Sequence, residues 1–111
     1  MVSNHPYGGI DGLALGPILA KARPEFKLLV NSFLGAFEVM NPWLFKVDLL
    51  DFDSERKNIL PMLNCIRFLK AGNCLGVFPA GEVSSISLKN RQVVDRAWSV
   101  HPSALARMTS A

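Results

Sequence analysis

The sequence predicts an α/β domain: a layered sheet with flanking helices. Three observations carry this. The runs EFKLLV and LGVF are short and apolar-rich, which suits buried strands. They alternate along the chain with longer segments of helical spacing, which argues for a layered sheet with helices packed on it. Half of the 111 residues are hydrophobic and 19% are charged, the balance of a chain that folds around a core.

Gly12 to Arg23 (GLALGPILAKAR) reads as a helix whose apolar positions are Leu13, Ile18, Leu19 and Ala22. Pro17 inside it should bend it or delay its start. Glu25 to Val30 follows as a buried strand, and Phe33 to Met40 as a short helix or turn ended by Asn41-Pro42. Leu44 to Phe52 is the second strand, or a strand running into a loop. The strongest helix is Ser54 to Lys70, with Ser54 as its cap, Glu55 at its positive end and a kink expected at Pro61. Ala71-Gly72-Asn73 closes it. Leu75 to Phe78 is a short buried strand, followed by a polar loop through about Asp95. His101-Pro102 opens a last helix, Ser103 to Met108. There is no repeat, low-complexity tract or linker, so one domain over residues 1–111 is expected. Its sheet is expected to be incomplete at both ends, because the first motif begins at residue 3 and no strand follows the last helix.

Twelve Lys and Arg against nine Asp and Glu give a net charge of +3. That suits an anionic ligand or membrane surface and is too small to argue for nucleic acid; basic and aromatic residues are not interleaved either. Cys65 and Cys74 match no zinc spacing and read as reduced core thiols, so no metal site is expected. The start lacks a charged region followed by an apolar one, so no signal peptide is expected. No apolar run approaches the roughly 20 residues of a membrane span, so any membrane contact should be peripheral.

Two loops can carry chemistry. In SNHPYGGIDG, His5 and Asp11 would point about 240° apart on a continuous helix, at roughly 100° per residue. Pro6 and Gly8-Gly9 allow a tight reversal instead. From the start of the next helix, the Asp11 carboxylate can then reach one nitrogen of His5 and leave the other to accept a proton. The plain alternative is an N-capping Asp11 beside a loop histidine and a Gly-Gly turn. The second loop, FPAGEVSS, leaves the carboxyl end of a strand and turns at Pro79 and Gly81, offering Glu82, Ser84 and Ser85. Ligands bind open α/β sheets at such loops, although a solvated turn would look the same.

Taken together, NHPYGGID and FPAGEVSS resemble the first and third motif blocks of the glycerolipid (lysophosphatidate) acyltransferase family. Their order and separation of about seventy residues fit, as do the Ser-led helix and KAG before LGVFP. The His–Asp spacer, Pro6 to Ile10, is one residue longer than the usual form and is similar to that of the bacterial hemolysin-type branch. Ala80 stands for the usual Glu, and Glu82 and Val83 for the common Thr and Arg. The second block, which usually ends in Arg, reads VDLLDFD, with Lys46 or Arg56 as substitutes.

The resemblance implies a glycerol-phosphate acyltransferase-like fold and a cytoplasmic-face, peripheral membrane location. It implies transfer of a fatty acyl group from an acyl-CoA or acyl-carrier-protein thioester, as co-substrate, to a lipid hydroxyl, with no bound cofactor. His5 would be the general base and Asp11 its orienting carboxylate. Phe78, Pro79, Gly81, Glu82 and Ser84 would line the acceptor site. Lys89, Arg91 and Arg96 are candidates for anionic groups, or a solvated basic loop. His101 reads as a capping-region residue, and Trp43 and Trp98 as packing residues that could also touch lipid. A non-catalytic lipid- or acyl-binding module is the alternative, and a fragment inactive on its own is a third.

Overall fold

The computed structural model describes residues 1–32, 38–48, 54–87, 91–94 and 96–111. Among these, three helices surround a parallel three-stranded sheet. The order along the chain is α1 (Gly9–Ala22), β1 (Lys27–Asn31), a 3-10 helix (Glu38–Trp43), β2 (Leu44–Val47), α2 (Ser54–Lys70), β3 (Leu75–Val77), β4 (Ser85–Ser87), β5 (Gln92–Val94) and α3 (His101–Thr109). The sheet order is β2-β1-β3, with Leu28 beside Leu44 on one side of β1 and beside Gly76 on the other. Residues 1–3 continue the sheet beyond β3. Val2 bridges Val77 in parallel, the Val77 N–H donates to the Met1 carbonyl at 3.0 Å, and the Ser3 N–H donates to the Val77 carbonyl at 3.1 Å.

Strand alternation sorts the apolar residues into two layers. Leu28, Val30 and Leu44 face α1 and pack with Leu19, Phe26 and Leu15. Leu29, Phe45, Leu75 and Val77 face the other way, against Cys65, Met62, Ile66 and Leu69 of α2 and Leu105 of α3. Gly76 falls on the α1 face, where a Cβ would meet Leu28 Cδ2 at 2.5 Å and Leu19 Cδ1 at 3.5 Å. Glycine there makes room for the Leu28–Leu19 contact. Lys27 lies on the opposite face, its ammonium 4.9 Å from the centre of the Phe45 ring.

The expected layered α/β sheet is present, with several corrections. α1 begins at Gly9 rather than Gly12, so Asp11 sits in its first turn and is not the cap; Gly8 holds that position. Pro17 does not delay the helix start, and both Pro17 and Pro61 lie inside their helices. β1 starts two residues later than expected, at Lys27, and β2 covers Leu44–Val47, the start of the segment expected to be a strand or a strand running into a loop. After β2, Asp48 is held by the Asn58 amide, which accepts from its N–H at 2.7 Å and donates to its carbonyl at 2.6 Å. Asn58 thus stands in for a strand neighbour and anchors β2 to α2. Asn41-Pro42 lies inside the 3-10 helix, because the fixed φ of proline suits a short helical turn as well as a stop. Residues 33–37 and 49–53 of two predicted segments, and the side chains of Ser54 and Glu55, lie outside the described residues. The polar loop after Phe78 contains the antiparallel pair β4-β5, and α3 starts two residues before the predicted Ser103. No helix among the described residues is long and apolar enough to cross a membrane.

Candidate functional site

The two loops meet at the carboxyl end of β3. Pairing of residues 1–3 along β3 delivers His5 to the same end of the sheet from which Phe78 departs. The His5 imidazole stacks on the Phe78 ring, with centroids 4.3 Å apart and planes inclined by 25°. His5 Nδ1 lies 3.3 Å from Asp11 Oδ2, and the two side chains are only 13% and 21% exposed. Nδ1 is fully shielded from solvent, yet it is not aligned for a hydrogen bond with that oxygen. The contact is therefore within electrostatic reach, and a small ring rotation separates it from a directed bond. Apo sites often hold catalytic pairs in this looser form.

One glycine builds this geometry. Gly8 has φ 72° and ψ −133°, a conformation that side-chain-bearing residues avoid, and it reverses the chain into α1. The Asp11 N–H then donates to the Gly8 carbonyl at 3.0 Å, and Asp11 Oδ2 accepts the Tyr7 N–H at 2.8 Å. The carboxylate in the first helical turn thus fastens the loop that carries His5. A Cβ on Gly8 would stand 2.9 Å from Val83 Cγ1, so the second loop closes directly over the first. Gly9 has open space around it and serves as the first helical residue.

In the second loop, Pro79 and Ala80 are buried and the Gly81 N–H donates to the Phe78 carbonyl at 3.0 Å. Gly81 has φ 72°, which a glycine meets without strain. The Ser99 N–H donates to the Pro79 carbonyl at 2.9 Å and ties the segment before α3 to this loop.

His5, Phe78, Pro79 and Gly81 line one cavity of about 410 Å³. The other walls are mostly aliphatic: Ile10 and Leu13 of α1, residues of β1, Met40, Leu44, Val47 and Val77. Its volume and apolar walls with a few polar groups fit a small-molecule site. Asn31 joins them from the carboxyl end of the central strand, where open α/β sheets bind ligands. Asp11 stands behind His5 rather than in the wall. Glu82 and Ser84 are not brought to the cavity: Glu82 pairs with Arg96 at 3.1 Å in an exposed position, and Ser84 is half-buried beside it in sequence.

Of the basic candidates, Arg96 is committed to Glu82, Arg91 occupies a positive-φ position before β5, and Lys89 lies outside the described residues. Lys46 and Arg56 do not reach the cavity lining. Trp43 and Trp98 are 44% and 52% exposed, so neither is a core residue. The sequence marks His101 only as a capping-region residue, whereas the fold places it in the cavity lining with Ser99 and Pro102. The signal that links it is the Ser-x-His pattern at the helix start, which places Ser99 Oγ 2.6 Å from His101 Nδ1. Among the described residues, no three His, Cys, Asp or Glu side chains gather as a metal site. The chain matches no protein-family model, and no curated protein matches it.

Proposed function

We propose that the chain is an acyltransferase domain of the glycerolipid type, moving a fatty acyl group from an acyl-CoA or acyl-carrier-protein thioester to a lipid hydroxyl. The observation that carries this reading is the His5–Asp11 contact at 3.3 Å, with His5 stacked on Phe78 in the wall of an apolar cavity. Nδ1 faces the carboxylate, so Nε2 is the atom available to accept the acceptor's hydroxyl proton. The alkoxide then attacks the thioester carbonyl. The tetrahedral intermediate collapses by breaking the C–S bond, and the imidazolium returns its proton to the leaving thiolate. Asp11 stabilises the charged ring between these two steps. The aliphatic cavity walls suit the acyl chain. Ile10 and Leu13 at the cavity are 66% and 60% exposed, and Ile18 of the same helix is 64% exposed, which supports peripheral contact with a membrane.

The test is transfer from radiolabelled palmitoyl-CoA to 1-acyl-glycerol-3-phosphate. His5→Ala should lower the rate about 100-fold or more, within the usual range for a general base, while the protein still melts cooperatively. Near-normal transfer by that variant ends the general-base reading. The missing alignment at His5 Nδ1 favours a second reading, acyl binding without chemistry. Saturable palmitoyl-CoA binding with no transfer to any glycerolipid hydroxyl would select it.

A further inference from the structure

The cavity presents a second imidazole. His101 and Ser99 line it together with His5, and the Ser99 N–H is tied to the second loop through the Pro79 carbonyl. Ser99 Oγ accepts the His101 backbone N–H at 3.2 Å and lies 2.6 Å from Nδ1 of the same residue. The hydroxyl keeps its hydrogen and a second lone pair, so it can pair with Nδ1 in either tautomer. When it donates, the ring carries its proton on Nε2, for which no hydrogen bond to a described residue is seen.

Resting on the acyl-transfer reading, we infer that His101 Nε2–H is the hydrogen-bond donor to the thioester carbonyl oxygen, and that Ser99 is the positioning residue that sets its tautomer. Attack on a thioester turns that oxygen into an oxyanion, which a positioned hydrogen-bond donor stabilises. Of the other polar side chains in the wall, His5 takes the hydroxyl proton and Ser99 is spent on His101. The Asn31 carboxamide, whose oxygen accepts from the Ser32 hydroxyl at 3.4 Å, is the competing donor, separated from His101 by the Asn31→Ala variant. The Ser99 N–H to Pro79 carbonyl bond holds this donor at a set place relative to Phe78 and therefore to His5.

Isotope-edited infrared spectroscopy of [1-13C]palmitoyl-CoA on the 111-residue chain, without acceptor, tests this. The bound carbonyl band should move to lower frequency than in free palmitoyl-CoA. It should return to the free position in His101→Ala, stay shifted in His101→Gln, which keeps a side-chain donor, and weaken in Ser99→Ala. In the transfer assay, His101→Ala should lower kcat about 100-fold, the usual loss for one oxyanion donor, with KM changed by less than about threefold. A shift that survives His101→Ala, or that disappears in Asn31→Ala instead, overturns the inference and leaves the acyl-transfer reading standing. Absence of any saturable palmitoyl-CoA binding, followed by tryptophan fluorescence, overturns both.

Discussion

The Phe78 ring lies face to face with the His5 imidazole, 4.3 Å between centroids, so a residue of the second loop sets the plane of the proposed base in the first. The stack restricts rotation of the imidazole while leaving its edges open to Asp11 and to the cavity. Phe78→Leu keeps apolar bulk and removes the ring face. It should cost about 0.5–1.5 kcal/mol in urea unfolding, the value of an aromatic pair beyond its buried area. The His5 ring-proton resonances should also move downfield as the ring current is lost. Unchanged His5 resonances would show that the two rings do not stack in solution.

Gly8 and Val83 form the other bridge between the loops. Gly8→Ala combines a disfavoured backbone conformation with a Cβ placed 2.9 Å from Val83 Cγ1. It should destabilise the protein by about 1–3 kcal/mol, the usual cost of holding a side-chain residue in such a region. In a Val83→Ala background the steric part disappears and the backbone part stays. A double-mutant cycle should therefore give a coupling of at least about 0.5 kcal/mol, and strict additivity would separate the two loops.

Burial pushes the Cys65 thiol up from 9.0 to about 11. The folded protein keeps this proton at pH values where the unfolded chain has lost it. The unfolded state then binds fewer protons, so stability should fall as pH climbs from 9.0 to about 11 and should be insensitive to this group below 9.0. Urea midpoints across that window should decline in the parent and decline less in Cys65→Ala. In native conditions a thiol reagent should label the half-buried Cys74 first and reach Cys65 only on unfolding.

The sequence made some of this legible for clear physical reasons. EFKLLV and LGVF are covered on both faces, so their apolar runs marked β1 and β3, and α2 followed from its periodicity and its Gly-bearing end. β4 and β5 escaped because Ile86 and Val93, paired across the hairpin, both point into solvent, so burial wrote no alternation there. The His5–Asp11 contact could be anticipated from a short spacer that holds two glycines. Its seating against Phe78 could not, because it depends on residues 1–3 pairing with β3. His101 was missed because its entry into the cavity is set by the Ser99–Pro79 hydrogen bond, a long-range contact with no periodic trace.

The short parallel pairing of residues 1–3 with β3 has a mechanical consequence. His5 hangs two residues beyond a zipper of a few backbone hydrogen bonds at the rim of the sheet, whereas Phe78 and Asp11 belong to segments anchored by the core. Unzipping this rim would withdraw the imidazole from both neighbours while β1, β2 and β3 stay paired. The free energy that keeps the base in place is then that of an edge, smaller than that of the whole fold. Amide exchange at Ser3 and Val77 would read it directly, and a ligand that fills the cavity beneath His5 would slow that exchange.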